Sequence, residues 1–555
     1  YSLICKLIIH QSVSYGIFCS KTCKVVYIKK KWYLLYLILY INYNIMTVLR
    51  PWILGKIVNC LVDGEQQQLF RMVACFFSIS ILIRIFLLIA NKIYLYLETY
   101  AVYAFNMKII KRLYKVSYTN ICREDPVVIN QKINSDCNII INFCISFFRD
   151  FISNIFNLIL IGIIIIYQLP ILGIVLFTLV GLYIIVYILS KRKIYKTSLQ
   201  VKEKQTEFFA GLYHMISGMK SIRNNGFSEY VMNKQNSFFK NYFKTLNDRQ
   251  NVLNMYDVAN GSISLAAQIF LFLYGGIQVI KGKLSIGFLT TVITYFSNLI
   301  QSTNFFLNLG EKFQDTSTSY NRILPYLKMK ETKYGKTRIN QIEDIRFENV
   351  VFKYPDEEEL FCFNEKFEMG NIYWLEGRNG IGKTTLANLF MGLFGLDYKG
   401  RILIDDKDIK ELAYRDIINK RVAIVEQNPY LLLDSVKNNI ICKAEGEIDE
   451  QVLDELIDSF GLKDVALRDS RNLIDYQNIN LSDGEKQKIV ILRMLFSNAS
   501  VWILDEPTSS LDKESKNVLY EELRRRKKDH IIILITHEKP QIYDRIISMR
   551  AYADD

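Results

Sequence analysis

The sequence predicts a two-domain chain, an all-α membrane domain of six helices followed by an α/β domain. Three observations carry this. Between Ile152 and Ser190 there is no charged residue. A bilayer-spanning helix needs roughly 20 apolar residues, so this run is long enough for two. From Ile345 onward the long uncharged runs give way to short apolar strands separated by turns. Within that second half, Gly377-Arg378-Asn379-Gly380-Ile381-Gly382-Lys383-Thr384-Thr385 lies between the apolar run Ile372–Leu375 and the helix-like Leu386–Phe390. Strand, glycine loop and helix start, with glycine, four residues, then Gly-Lys-Thr, is the phosphate-binding P-loop pattern.

Composition agrees. The 555 residues are 50% hydrophobic with a net charge of +13. A basic balance fits nucleic acid or a membrane protein with Lys/Arg-rich cytoplasmic loops. Here the cations cluster beside apolar runs, which favours the membrane and gives no reason to expect nucleic acid as a partner. The ten cysteines are scattered, with no C-x-x-C pair, so neither a zinc site nor a disulfide framework is expected.

Residues 1–30 carry only short apolar patches and stay unassigned. The membrane domain spans 31–325. Its first apolar segment, Trp32 to Ile53, follows Lys29-Lys30-Lys31, a cytoplasmic flank under the positive-inside rule. The acidic loop at Asp63–Glu65 leads to a second segment, Met72 to Leu95, with Arg84 near its middle. An ionisable residue at membrane depth is a functional hypothesis, weighed against a structural pair with a neighbouring helix. A basic stretch from Lys108 to Lys132 is expected to be helical and internal. The charge-free run then splits at Gln168-Leu169-Pro170 into spans Ile152–Gln168 and Ile171–Ser190, and Lys191-Arg192-Lys193 marks the return. A second long polar helical region, Tyr195 to Arg249, precedes the last two spans, Tyr256–Ile280 and Ile286–Leu309, joined by Lys281-Gly282-Lys283. Both ends of the domain lie inside, the outside loops are short, and the two inside loops are long. A charged segment, 326–344, is expected to be a solvated linker.

The remaining 345–555 form the α/β domain. Ile345–Phe352 alternates like an edge strand, and Tyr354 follows it. In the glycine loop, Gly377, Arg378, Asn379, Gly380 and Gly382 let backbone N–H groups turn toward phosphate oxygens. The helix N-terminus behind them adds positive potential. Lys383 can reach the β- and γ-phosphates, Thr384 can hold Mg²⁺, and Thr385 completes the motif. Downstream come Val425-Glu426-Gln427, Leu481-Ser482-Asp483-Gly484-Glu485, and the strand Val501–Leu504 ending in Asp505-Glu506. Ser509–Asp512 and the strand Ile531–Ile535 before His537 complete the series. A carboxylate emerging at a strand end can order Mg²⁺, and one beside it can polarise water.

These elements, in this order, resemble the ATP-binding cassette (ABC) transporters. The resemblance implies that Tyr354 stacks on adenine and that Gln427 contacts Mg²⁺ and the attacking water. It implies that Asp505 orders Mg²⁺, Glu506 is the catalytic carboxylate and His537 the switch histidine. Ser482 and Gly484 match the signature loop, and Asp512 the D-loop. In the family these close on a nucleotide held by another subunit. Gly218–Ile222 resembles the coupling-helix region between the fourth and fifth helices. Two positions depart from the usual Leu-Ser-Gly-Gly-Gln: Asp483 replaces glycine and Glu485 glutamine. Added carboxylates beside a polyanion oppose closure unless Lys486 or Mg²⁺ offsets them. Residues 474–478 match poorly the glycine-containing segment that exporters carry before the signature.

The resemblance therefore implies a half-transporter with ATP and Mg²⁺ as cofactors. It needs a second subunit, identical or related, and a lipid bilayer. The fused order, membrane domain then cassette, points to an exporter of peptides, lipids or drugs. The cassette is expected in the cytoplasm beneath a multi-pass domain in a bacterial cell membrane. The alternatives are a regulatory or impaired half of a heterodimer and an ATP-gated protein that does not pump. The substrate is not legible.

Overall fold

Backbone groups cannot stay unpaired in lipid, so a bilayer-spanning apolar run must close its hydrogen bonds within a helix. The computed structural model bears this out across the first half of the chain. It describes residues 30–122, 124–168, 170–354, 359–378, 380–446, 448–468 and 481–549. Six long helices run α1 Lys30–Asp63, α2 Gln66–Leu113, α3 Cys137–Gln168, α4 Pro170–Ser217, α5 Ser228–Ile280 and α6 Ile286–Lys328. Among the described residues, α1, α2, α5 and the segment Val128–Tyr167 are each long and apolar enough to cross a membrane. The helices extend well past the predicted spans because their polar halves continue as helix.

Polar side chains tie these helices together through bonds to backbone carbonyls of neighbouring helices. Pro51 interrupts α1, and around it Tyr295 and Thr291 of α6 donate hydroxyls to the carbonyls of Val48 (2.9 Å) and Pro51 (3.2 Å). One turn on, α1 and α6 touch through glycines: a Cβ on Gly287 would collide with the Gly55 carbonyl. Helices α4 and α5 are joined by Tyr183 Oη donating to the Asn260 carbonyl (3.4 Å) and Gln235 Nε2 donating to the Phe208 carbonyl (2.9 Å). Arg149 and Asp150 pair with each other at 2.5 Å, and the guanidinium donates to Tyr36 Oη at 3.0 Å. Arg84 is exposed and has no ion pair among the described residues. Gly218 caps a short helix, Met219–Asn224, where the coupling region was expected.

The chain divides into two units. One comprises the described residues up to Tyr114 together with Glu124–Lys328. The other comprises the described residues of Lys115–Arg123 and from Met329 on. Two expectations change here. The basic stretch 108–132 is not one helix. It stops at Leu113, and the segment after it belongs to the cassette unit, where Tyr118 N donates to the Leu393 carbonyl (2.7 Å) and Val116 bridges Glu331. Residues 326–344 are not a solvated linker either. Helix α6 uses the first of them, and the rest pack on the cassette. Thr337 bridges Leu412, Tyr334 packs on Tyr414, and a Cβ on Gly335 would strike the Glu411 backbone.

The cassette holds two sheets. The first is mainly antiparallel, in the order β2 (Glu359–Phe363), β1 (Asp344–Lys353), β5 (Lys399–Ile404), β6 (Lys407–Asp408), with β3 (Lys366–Glu368) also on β1. Strand β1, expected at an edge, is interior: Phe347 pairs with Ile402 and Phe352 with Phe361 on its two sides. The second sheet is parallel, in the order β10 (Arg545–Ser548), β4 (Ile372–Glu376), β9 (Ile531–Ile535), β8 (Val501–Asp505), β7 (Val422–Val425). Strands β8 and β9 are buried along their whole length, as a parallel sheet covered on both faces requires. Around the sheets lie α7 (Lys383–Phe390), α8 (Tyr414–Arg421), α9 (Val436–Ile441), α10 (Glu450–Ser459), α11 (Asp483–Leu495) and α12 (Lys513–Arg526).

Candidate nucleotide site

In an open parallel sheet, ligands bind beyond the carboxyl ends of the strands. The sequence motifs converge there. The P-loop follows β4, His537 lies two residues beyond β9, Asp505 and Glu506 end β8, and Gln427 lies two residues beyond β7. Neighbouring strands in register, Leu375 with Ile535 and Val425 with Leu504, bring these ends level.

The P-loop turn needs glycine where φ is positive: Gly380 at 81° and Gly382, the N-cap of α7, at 105°. Asn379 lies outside the described residues. Lys383 is 7% exposed, and its ammonium bonds the carbonyls of Gly377 (2.5 Å) and Arg378 (3.2 Å). Its charge thus sits at the centre of the loop. Arg378 itself is exposed. Thr385 is buried and shares a 3.1 Å hydrogen bond with Tyr354 Oη. Tyr354 also packs edge-on against Phe352 and Phe394, so its ring is fixed beside the loop.

Thr384 Oγ1 donates to Asp505 Oδ2 at 2.7 Å. A hydroxyl and a buried carboxylate side by side form the oxygen donor set that suits Mg²⁺. Burial pushes the Asp505 carboxyl above its usual range, offset in part by the Thr384 bond, Lys383 and His537. Glu426 is likewise pushed up, first by burial and then by Asp505. Gln427 is exposed and makes no hydrogen bond among the described residues.

Glu506 has φ 49°, a left-handed conformation unusual for its residue type. Such a backbone costs about 1–3 kcal/mol and persists only where its surroundings over-determine it. Here they do. Its N–H donates to the Ile535 carbonyl (2.8 Å), and its own carbonyl accepts from Ser509 N (3.3 Å) and Ser509 Oγ (3.1 Å). The result is a carboxylate whose Oε1 accepts from the His537 N–H at 2.7 Å and lies 3.6 Å from His537 Nε2. The two expected catalytic groups are thus in one place.

Ser482, Gly484 and Asp512 are brought together with one another by α11, and no hydrogen bond or ion pair joins them to the P-loop among the described residues. Ser482 caps α11 and forms a capping box with Glu485: Ser482 N and Oγ lie 2.6 and 2.8 Å from Glu485 Oε2, and Glu485 N donates back to the hydroxyl at 3.2 Å. Asp483 pairs with Lys486 at 3.0 Å. Both departures from the signature pattern are therefore answered locally. Gly484 has a second reason to be glycine, since a Cβ there would lie 2.7 Å from the Ser510 carbonyl. Asp512 caps α12 and pairs with Lys488 at 2.5 Å.

Sequence reading missed a polar strut behind these loops. Asn439, fully buried, accepts from Leu432 N and Arg493 Nη2 and donates to the carbonyls of Leu432, Asp434 and Ser435. Arg493 also donates to the carbonyls of Asn439 (2.8 Å) and Tyr430 (3.1 Å). The last turn of α11 is thereby tied to the segment after Gln427. A cation inside the apolar run Ile489–Leu495 was the available signal.

The fold and site define a chain that joins a bundle of membrane-length helices to a P-loop cassette. Residues 33–303 match the family profile described as ABC transporter transmembrane region, and residues 362–509 match that described as ABC transporter. The chain belongs to the ABC transporters. Among curated proteins it is 32% identical over 298 residues to the ATP-dependent lipid A-core flippase of Syntrophus aciditrophicus, covering 52% of this chain and 48% of that protein. It is 25% identical over 363 residues to that of Photobacterium profundum, covering 63% and 60%. The chain thus spans about half the length of the curated relatives it matches. A bacterial Atm1-family ABC exporter with ATP bound superposes with TM-score 0.82 over 94% of each chain at 18% identity, which speaks to the fold.

Proposed function

We propose that this chain is an ATP-driven exporter of the bacterial cell membrane that moves a lipid-like amphiphile and works as a dimer. The observation that carries the proposal is the convergence of Lys383, Thr384, Asp505, Glu506 and His537 at one end of the parallel sheet. Mg²⁺ held by Thr384 and Asp505, with Gln427 completing its surroundings, would supply charge neutralisation for the phosphates. Lys383, itself buried, adds a fixed positive charge at the centre of the loop, where it acts with reduced solvent screening. Tyr354 offers its ring to the base. Glu506, held by its backbone contacts, accepts a hydrogen bond from water and orients it for attack. His537, beside it, donates toward the developing charge.

The signature residues Ser482 and Gly484 and the D-loop Asp512 serve the nucleotide of a second subunit. The Asp483–Lys486 pair and the Ser482–Glu485 box support this chain's own signature as competent, and so favour a homodimer over a heterodimer with an impaired half. A cytoplasmic cassette beneath a multi-pass domain follows from the positive flanks of the first and fourth spans. The named activity of the flippase relatives supports a lipid substrate. Reconstituted protein tests this. Lipid A-type glycolipids are expected to raise ATP turnover and to cross to the opposite leaflet only with ATP. Stimulation by peptides or drugs alone would reassign the substrate. No ATP turnover in any membrane would overturn the exporter reading.

A further inference from the structure

The first two turns of α11 present Gly484, Gln487 and Lys488 on one face, at the i, i+3, i+4 spacing. Each meets a different point of the loop after β8. Gln487, 1% exposed, donates its amide N–H to the Glu506 carbonyl at 3.2 Å. Lys488 pairs with Asp512 at 2.5 Å, and Gly484 allows the Ser510 carbonyl to approach. The helix capped by the signature serine is thus fastened by two bonds, and packed closely at a third point, to its own chain's loop from Glu506 to Asp512. Of the three contacts, the one at Glu506 matters most for chemistry. The strained backbone of that residue is held by the Ile535 carbonyl of β9, by Ser509 and by Gln487, and of these Gln487 is the one that lies on the signature helix. The carbonyl and the carboxylate branch from the same Cα, so what holds the first directs the second.

We infer that Gln487 is a positioning residue for ATP hydrolysis, tying the signature helix to the backbone of Glu506. A displacement of the Ser482 end of α11 is then delivered to the Glu506 carboxylate of the same chain. Since Ser482 serves a partner's nucleotide, the strut gives the two sites of a dimer a physical link. The inference rests on reading Glu506 as the carboxylate that orients water.

The test uses full-length protein in proteoliposomes. Gln487→Met keeps side-chain volume but donates nothing. The expected result is a kcat lower by about tenfold to a hundredfold, the scale of a misplaced catalytic group, with the KM for ATP little changed. In a Glu506→Gln background, Gln487→Met is expected to lower the residual rate no further, since both act through one carboxylate. Wild-type kcat in the single variant, or an equal further loss in the double variant, would overturn the inference. If Gln487→Met does not fold, Gln487→Glu, near-isosteric and unable to donate when ionised, makes the same comparison. Wild-type turnover in Glu506→Gln alone would instead remove the reading beneath it, a distinct outcome.

Discussion

Replacing Asn439 by alanine removes the side chain that closes the polar strut between α11 and the segment following Gln427. Its Oδ1 holds Leu432 N and Arg493 Nη2 at 2.8 Å each, and its Nδ2 holds the carbonyls of Leu432 (3.0 Å), Asp434 (3.3 Å) and Ser435 (3.0 Å). The loss is not uniform. The Ser435 carbonyl keeps the Asn439 backbone N–H at 2.9 Å, and Arg493 keeps the carbonyls of Asn439 and Tyr430. The Leu432 carbonyl keeps the Asp434 N–H at 2.8 Å, which leaves two backbone groups, the Leu432 N–H and the Asp434 carbonyl, short of a partner, with one Arg493 N–H. At about 1–3 kcal/mol per unsatisfied group, with solvent relieving those near the exposed Leu432, the cost comes to about 3 kcal/mol. For a domain of this size each kcal/mol moves the midpoint by roughly 2–4 °C, so the cassette transition should fall by about 6–12 °C. Scanning calorimetry of the purified protein reads this directly. Asn439→Leu, which fills the space but pairs with nothing, should lose at least as much. A shift under about 2 °C in both variants would mean that the strut carries no energy.

Other consequences can be measured. Gly484→Ala pushes a methyl against the Ser510 carbonyl and should destabilise the cassette by about 1–3 kcal/mol, read as a lower unfolding midpoint. Glu485→Gln keeps an oxygen able to accept from Ser482 but removes a charge from the N-terminus of α11. Stability should fall by less than about 1 kcal/mol while ATP turnover is retained or raised; loss of turnover would make the carboxylate itself essential. Burial raises the Asp505 pKa in the folded chain, so the folded state binds a proton there more readily than the unfolded state. Without Mg²⁺, stability therefore falls as pH rises from the ordinary aspartate value, about 3.9, through the raised one. Asp505→Asn should abolish that loss, and also the stabilisation that Mg²⁺-nucleotide gives wild type. Comparison of the two unfolding curves across pH checks both.

Much of this architecture was legible because its signals are local. A charge-free stretch from Ile152 to Ser190 can only be satisfied as helices in lipid, and positive φ at Gly380 and Gly382 is what a phosphate loop asks of glycine. The sites at strand ends followed from motif order, since a parallel sheet sets those ends side by side. What escaped is non-local. Strand β1 looked like an edge because alternation does not reveal how many neighbours a strand has. Residues 326–344 looked solvated because their charges were visible, whereas the contacts of Tyr334 and Gly335 with Tyr414 and Glu411 were not. Asn439 and Arg493 are 54 positions apart, and neither residue type in isolation announces a partner. Gly484 was matched to a signature loop, while in the fold a Cβ there would meet the Ser510 carbonyl. Asp483 and Glu485 looked like free charges facing a polyanion until Lys486 and Ser482 were found holding them.

Glu506, held in a strained backbone beside His537, is proposed to orient water at a nucleotide bound by the P-loop. Glu506→Gln in reconstituted protein tests this most directly, because the amide preserves shape while losing the charge that makes the carboxylate a good acceptor. ATP binding is expected to persist with near wild-type affinity while steady-state hydrolysis falls to a small residual rate. Unchanged turnover in that variant would contradict it.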